Sequence, residues 1–147
     1  MKLKELQELI YMESGKKLTY KQMEYGFESK VEVLFEGAYK GYQFYILNLG
    51  THPTAYIEIP RTNKLFGKDY DDIDIGVHGG LTYADDHLQD IKKDTWFIGW
   101  DYAHFGDYLG FDSLFRVMNE NNKKWTTEEI FDDVVNAIEQ IIEGEYE

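Results

Sequence analysis

The spacing of apolar residues changes period along this chain, and each change predicts an element. Leu3, Leu6 and Ile10 recur at helical spacing and stop at Ser14-Gly15, which predicts a first helix. The stretch LTYKQMEYGF, residues 18–27, predicts a second short helical piece. From Lys30 the period falls to two. VEVLFEG sets Val31, Val33 and Phe35 against Glu32, Leu34 and Glu36. With YQFYILNLG and TAYIEIP it predicts a three-stranded antiparallel meander, with Gly37 and Gly41 near the first junction. IDIGVHGGLTY and TWFIGWDY predict two more strands, each interrupted by glycine, the mark of a bulge or a close backbone approach.

The helical period returns at the end. Ile130, Val134, Ile138 and Ile141 form one stripe, and Thr126 with Glu129 makes a capping box ahead of it. This predicts an amphipathic helix from about Thr127 to Glu143 that packs and carries no catalytic residue. The fold class is α+β: a mostly antiparallel sheet flanked by an N-terminal and a C-terminal helix, in a single domain spanning residues 1–147. The connection RTNKLFGKDYDD is long and polar, which makes it a functional candidate. NENNKKW is a turn.

Charge sharpens the picture. The formal net charge is -13, concentrated in residues 69–107, with ten Asp against two Lys, and in residues 126–147, with eight acids and no base. Such a surface repels nucleic acid, so direct nucleic-acid binding is not expected, although an acidic protein can mimic nucleic acid towards a protein that grips it. The C-terminal acids also suit the start of a helix. No apolar run is long enough to span a membrane, and the start lacks the apolar stretch of a secretory signal, which suggests a cytoplasmic location. With no cysteine and four histidines a closed zinc site is not expected. The run Asp69, Asp71, Asp72, Asp74 lacks the spacing of a calcium loop and is read as a solvated turn. The reading therefore includes neither metal nor cofactor.

Candidate chemistry gathers in two stretches of mixed character, VHGGLTY and WFIGWDYAHFGD. Gly79 and Gly80 beside His78 let backbone amides approach a ligand, while Thr82 offers a hydroxyl and Tyr83 a ring. Asp101, His104 and Asp107 are three apart and converge on one point if the chain turns helical after Tyr102. Aspartate-histidine pairs orient an imidazole for acid-base work or bind metals. His78, His104 and Asp101 are thus candidate catalytic groups, and His78 and His104 are expected to share one pocket walled by Gly79-Gly80. Trp96, Trp100 or Tyr83 would stack on a base, and Arg61, Lys64 and Lys68, in an acid-free loop, would take phosphates. His52-Pro53-Thr54 fits half of the two-histidine phosphoesterase pattern, but none of His78, His87 or His104 supplies the other half.

The motifs Lys68 to Asp71, His78 to Thr82 and Trp96 to Asp107 resemble a family of small uncharacterised bacteriophage and prophage proteins, over roughly residues 50–145. The resemblance implies a phage-linked origin, and with it a role in countering host defence inside the host cell. Three functions stay open. The chain sequesters a small nucleotide immune signal, hydrolyses one with His78 and His104 as acid and base, or blocks a nucleic-acid-binding defence enzyme by charge mimicry, in the manner of an anti-CRISPR. The expected partner is therefore a small nucleotide or a host defence protein, and a homo-oligomer is compatible with each.

Overall fold

The computed structural model describes residues 19–26, 30–110 and 121–144. The helix expected in residues 3–13 lies outside them. Five strands form one antiparallel sheet: β1 (Val31–Tyr39), β2 (Tyr42–Leu49), β3 (Pro53–Ile59), β4 (Tyr83–Leu88) and β5 (Lys92–Asp101), in the order β1-β2-β3-β5-β4. One helix, α1 (Thr127–Glu143), crosses one face of it. The sheet is therefore a meander followed by a second hairpin whose later strand pairs back onto β3.

The meander forms where the alternation predicts it. Lys40 and Gly41 have φ of 47° and 86°, the left-handed pair of a two-residue hairpin turn, and this sets the β1–β2 register. The alternation in β1 breaks at a bulge between Val33 and Phe35. Leu34 and Phe35 are therefore both buried, while Val31 is exposed.

Two expectations are corrected. Residues 19–26 contain no helix; their backbone runs beside β1, where the Lys21 amide donates to the Leu34 carbonyl at 2.8 Å. The strand expected over IDIGVHGGLTY is absent except for its last residue, Tyr83. Gly79 and Gly80 adopt φ of 69° and 82°, which no extended strand can include. The segment keeps period two, since Ile73 and Ile75 are buried, but it has no ladder partner. It is pinned to α1 instead: the Gln140 side-chain amide accepts from the Gly76 N–H and donates to the Gly76 carbonyl, both at 2.8 Å. The strand that does form, YADDHL, hides its period behind two adjacent acids, Asp85 and Asp86, and closes the sheet edge.

The main core lies between α1 and the sheet. Phe35, Phe44 and Phe131 form a ring cluster with centroids 5.0–5.2 Å apart, and Ile130, Val134, Ile138 and Ile141 fill the space along the helix. Both hydrogen bonds of the Thr126–Glu129 capping box are present. The opposite face carries a smaller cluster of Tyr45, Leu47, Tyr56, Leu88 and Phe97. There Gly99 earns its place: a Cβ would lie 2.4 Å from the ring of Tyr56, its register partner on β3. The glycine of the TWFIGWDY stretch thus marks a ring laid across the strand, and β3, β5 and α1 together fix where the chain leaves the sheet at Asp101.

Candidate functional site

The chain leaves β5 at Asp101 and makes a turn closed by the Asp107 amide, which donates to the His104 carbonyl at 2.9 Å. No helix forms here, but the turn brings Asp101, His104 and Asp107 to the same end of the sheet. The loop holding His78 reaches this end from the other direction. The His78 and His104 ring centroids are 5.6 Å apart, and Gly79 lies directly against the His104 ring. The two stretches thus meet in space, although the cavity at this end is not lined by His78, Gly79, Gly80 or His104.

Asp107 organises the site. It is only 3% exposed, and its carboxylate accepts four hydrogen bonds. His78 Nε2 lies 2.7 Å from Oδ2 and 3.0 Å from Oδ1. The His104 amide donates to Oδ2 at 2.9 Å, and the Trp125 indole N–H donates to Oδ1 at 2.9 Å. An ionised carboxylate only accepts, so His78 carries a proton on Nε2, and Nδ1 is the lone-pair nitrogen of the neutral ring. His78 stacks on Tyr102 with centroids 4.8 Å apart and an interplanar angle of 5°, and it packs against Trp125 at 4.7 Å. The Tyr102 hydroxyl accepts from Trp100 Nε1 at 3.1 Å and donates to Asp133 Oδ2 at 2.5 Å. Burial, reinforced by that carboxylate, pushes the Tyr102 pKa far above the ordinary tyrosine value. It remains a neutral donor throughout, so α1 supports the site through Asp133 and Gln140 without entering it.

Asp101 does local structural work. Its Oδ1 accepts from the Ala103 amide at 3.1 Å and its Oδ2 from the Thr82 hydroxyl at 3.0 Å. His104 Nε2 lies 3.2 Å from Oδ1, but out of line for a hydrogen bond. Beside Asp101 a cavity of about 200 Å³ opens, lined by His52, Thr54, Tyr56, Thr82 and Tyr83 among others. Among the described residues, two buried side-chain polar atoms lack a hydrogen-bond partner, Thr54 Oγ1 and His104 Nε2, and both sit at this end. The Tyr56 hydroxyl is pushed up by burial, with Thr54 acting in the opposite direction, yet the two hydroxyls are not in good hydrogen-bond geometry. Burial, then the nearby Asp85, pushes Tyr83 up to about 12.

His52 belongs here too. Its Nδ1 is 2.9 Å from the Thr51 hydroxyl. Burial pulls its pKa below the ordinary histidine value, against the opposing charges of Asp101 and Asp107, and His104 adds to the lowering. A histidine that folds with a depressed pKa binds its proton more weakly in the native state, so stability is lost as pH falls from the unfolded value towards the folded one. The melting temperature is therefore expected to drop as pH is lowered from about 7 to below the ordinary histidine pKa of about 6.5. In His52→Gln part of that slope should vanish, and an unchanged slope would show that other groups carry it.

Other expected ligand residues lie elsewhere. Trp100 is buried and bonded to Tyr102, so it cannot stack on a ligand. Trp96 donates its indole N–H to the Lys68 carbonyl at 3.0 Å, five residues before Asp101 on β5, or roughly 17 Å at strand spacing. Arg61 stands beside Trp96: it donates to the Asp94 carbonyl at 3.2 Å, lies over the Phe66 ring, and lines a separate open cleft of about 350 Å³. Lys64 and Lys68 are exposed on the same loop. The Gly80 amide donates to the Val77 carbonyl at 2.9 Å, closing a turn, so it is not presented to an anion.

Tyr102, Trp125 and His52 were not among the candidates. Trp125 stands immediately before the Thr126 cap, a position where an apolar residue commonly packs back, and the motif offered no reason to bring it to Asp107. His52 follows from register alone, because Thr54 pairs with Asp101. No family model matches the chain, and neither does any curated protein or solved structure.

Proposed function

We propose that this chain binds and sequesters a small phosphate-bearing nucleotide at the histidine end of the sheet, as a phage accessory protein that counters host defence by withdrawing a nucleotide immune signal. The phage link rests on the motif resemblance. The observation that carries the binding reading is a cavity lined by the unpartnered buried Thr54 hydroxyl, with a second unpartnered polar atom, His104 Nε2, 3.2 Å from its lining residue Asp101. Buried polar atoms without partners are costly and concentrate where a ligand or water completes them. His52, in the cavity lining, and His104 add imidazole nitrogens as hydrogen-bonding groups for a ligand at this end.

A second reading is favoured by one specific feature. The short His78–Asp107 pair has the form of an oriented acid-base group, which suits hydrolysis of the same nucleotide with His104 as its partner. Charge mimicry draws less support, because Glu128, Glu129, Asp133 and Glu139 all hold hydrogen bonds within the fold.

One experiment separates these readings. The purified chain is incubated with a panel of linear and cyclic nucleotides, heated to release what is bound, and the supernatant is chromatographed. Unchanged nucleotide released in proportion to protein is the expected result. New products that disappear in His104→Ala would replace binding by catalysis, and absence of uptake would overturn the nucleotide reading.

A further inference from the structure

Phe105 is fully exposed, on the turn that runs from His104 to Asp107. A phenylalanine wholly in water contributes nothing to this fold. Its backbone, however, is held firmly. The turn is closed by the Asp107 amide on the His104 carbonyl, Gly106 takes a φ of 94°, and the His104 amide is bonded to the buried Asp107 carboxylate. A second chain segment clamps it: the Lys123 amide donates to the Gly106 carbonyl and the Tyr108 amide to the Lys123 carbonyl, both at 2.8 Å. The ring is thus displayed on a pinned turn.

The other rings near the site have work within the fold. Trp100 is in the core. Trp125 holds Asp107 and packs against His78, and Lys123 lies over its ring at 4.0 Å. Tyr83 donates its hydroxyl to the His87 carbonyl and packs edge-on against Tyr56. Positive charge lies on the clamping segment. Lys123 is paired with Glu129 at 2.7 Å, whereas Lys124 is exposed with its ammonium 4.6 Å over the Tyr108 ring.

We infer that Phe105 is the base-stacking platform of this site and that Lys124 contacts the phosphate of the same nucleotide. The ligand class is a nucleotide with an unpaired base, since stacking on a phenyl face needs an open base and tolerates any of the four. The inference rests on the nucleotide reading above and names the ring that reading left unassigned after Trp100 proved buried. The pinned turn presents the ring without an ordering cost.

The test titrates the full chain by calorimetry with nucleoside monophosphates and cyclic dinucleotides of the four bases. The tightest-binding probe is then carried to variants. Phe105→Ala should weaken its binding about tenfold or more, with the melting temperature unchanged because the ring packs on nothing. Phe105→Trp should bind like the parent and report the ligand by a change in its indole emission. Lys124→Ala should weaken binding and flatten its dependence on salt. Parental affinity in Phe105→Ala overturns the stacking assignment while leaving nucleotide binding in place. A parent that binds none of the probes overturns the nucleotide reading itself, and the assignment with it.

Discussion

Asp107→Ala is expected to lower the stability of the folded chain by about 3–5 kcal/mol, the combined scale of leaving several donors without their buried acceptor. The size follows from what the carboxylate satisfies. It is almost fully buried and takes His78 Nε2–H, the Trp125 indole N–H and the His104 amide. Without it three donors from three separate segments lose their acceptor, each at a cost of about 1–3 kcal/mol if water does not reach it. Asp107→Asn retains the shape and one acceptor oxygen, so it should fall between the parent and alanine. Equilibrium denaturation in urea measures all three proteins. An alanine variant within about 0.5 kcal/mol of the parent, the range of ordinary surface substitutions, would mean that Asp107 does not organise this end of the molecule.

Wherever local pattern and tertiary demand agree, the fold is readable from residues alone. The capping box and the Ile130-Val134-Ile138-Ile141 stripe place α1 because a helix that buries one face must repeat its apolar residues at that spacing. The first three strands alternate because one face meets α1 and the other the smaller cluster. Reading fails where glycine decides the backbone. IDIGVHGG keeps the period of a strand, yet Gly79 and Gly80 turn it away, and the ladder passes to YADDHL, whose acids look like a loop. The same holds for the site. Asp101, His104 and Asp107 were legible from their spacing, since one turn suffices to gather them. His52 and Trp125 come from distant segments, and only register and docking bring them in. Arg61 and Trp96 had the right chemistry for a nucleotide, but the β3–β5 register puts them at the other end of those strands from His52 and Asp101.

Gly79→Ala is expected to damage the site more than any other single-atom change, and Gly80→Ala is its control. Both glycines have positive φ, so an alanine at either position bears the left-handed penalty of about 1–2 kcal/mol. Around Gly80 the position of a Cβ is open space. At Gly79 the added Cβ would lie 2.2 Å from His104 Nε2 and 2.3 Å from Cδ2. The imidazole must therefore leave its place or the His78 loop must lift. Lifting the loop strains the two hydrogen bonds that Gln140 makes to Gly76 and the pair between His78 and Asp107. The added loss in Gly79→Ala should exceed that in Gly80→Ala by at least ~1 kcal/mol, comparable to one lost hydrogen bond. The His104 ring resonances should shift in Gly79→Ala and stay in place in Gly80→Ala. Nucleotide uptake should fall with the former and survive the latter. If both variants lose the same stability and neither moves the His104 resonances, the contact between Gly79 and the imidazole does not constrain the site, and the glycine pair is there for its turn alone.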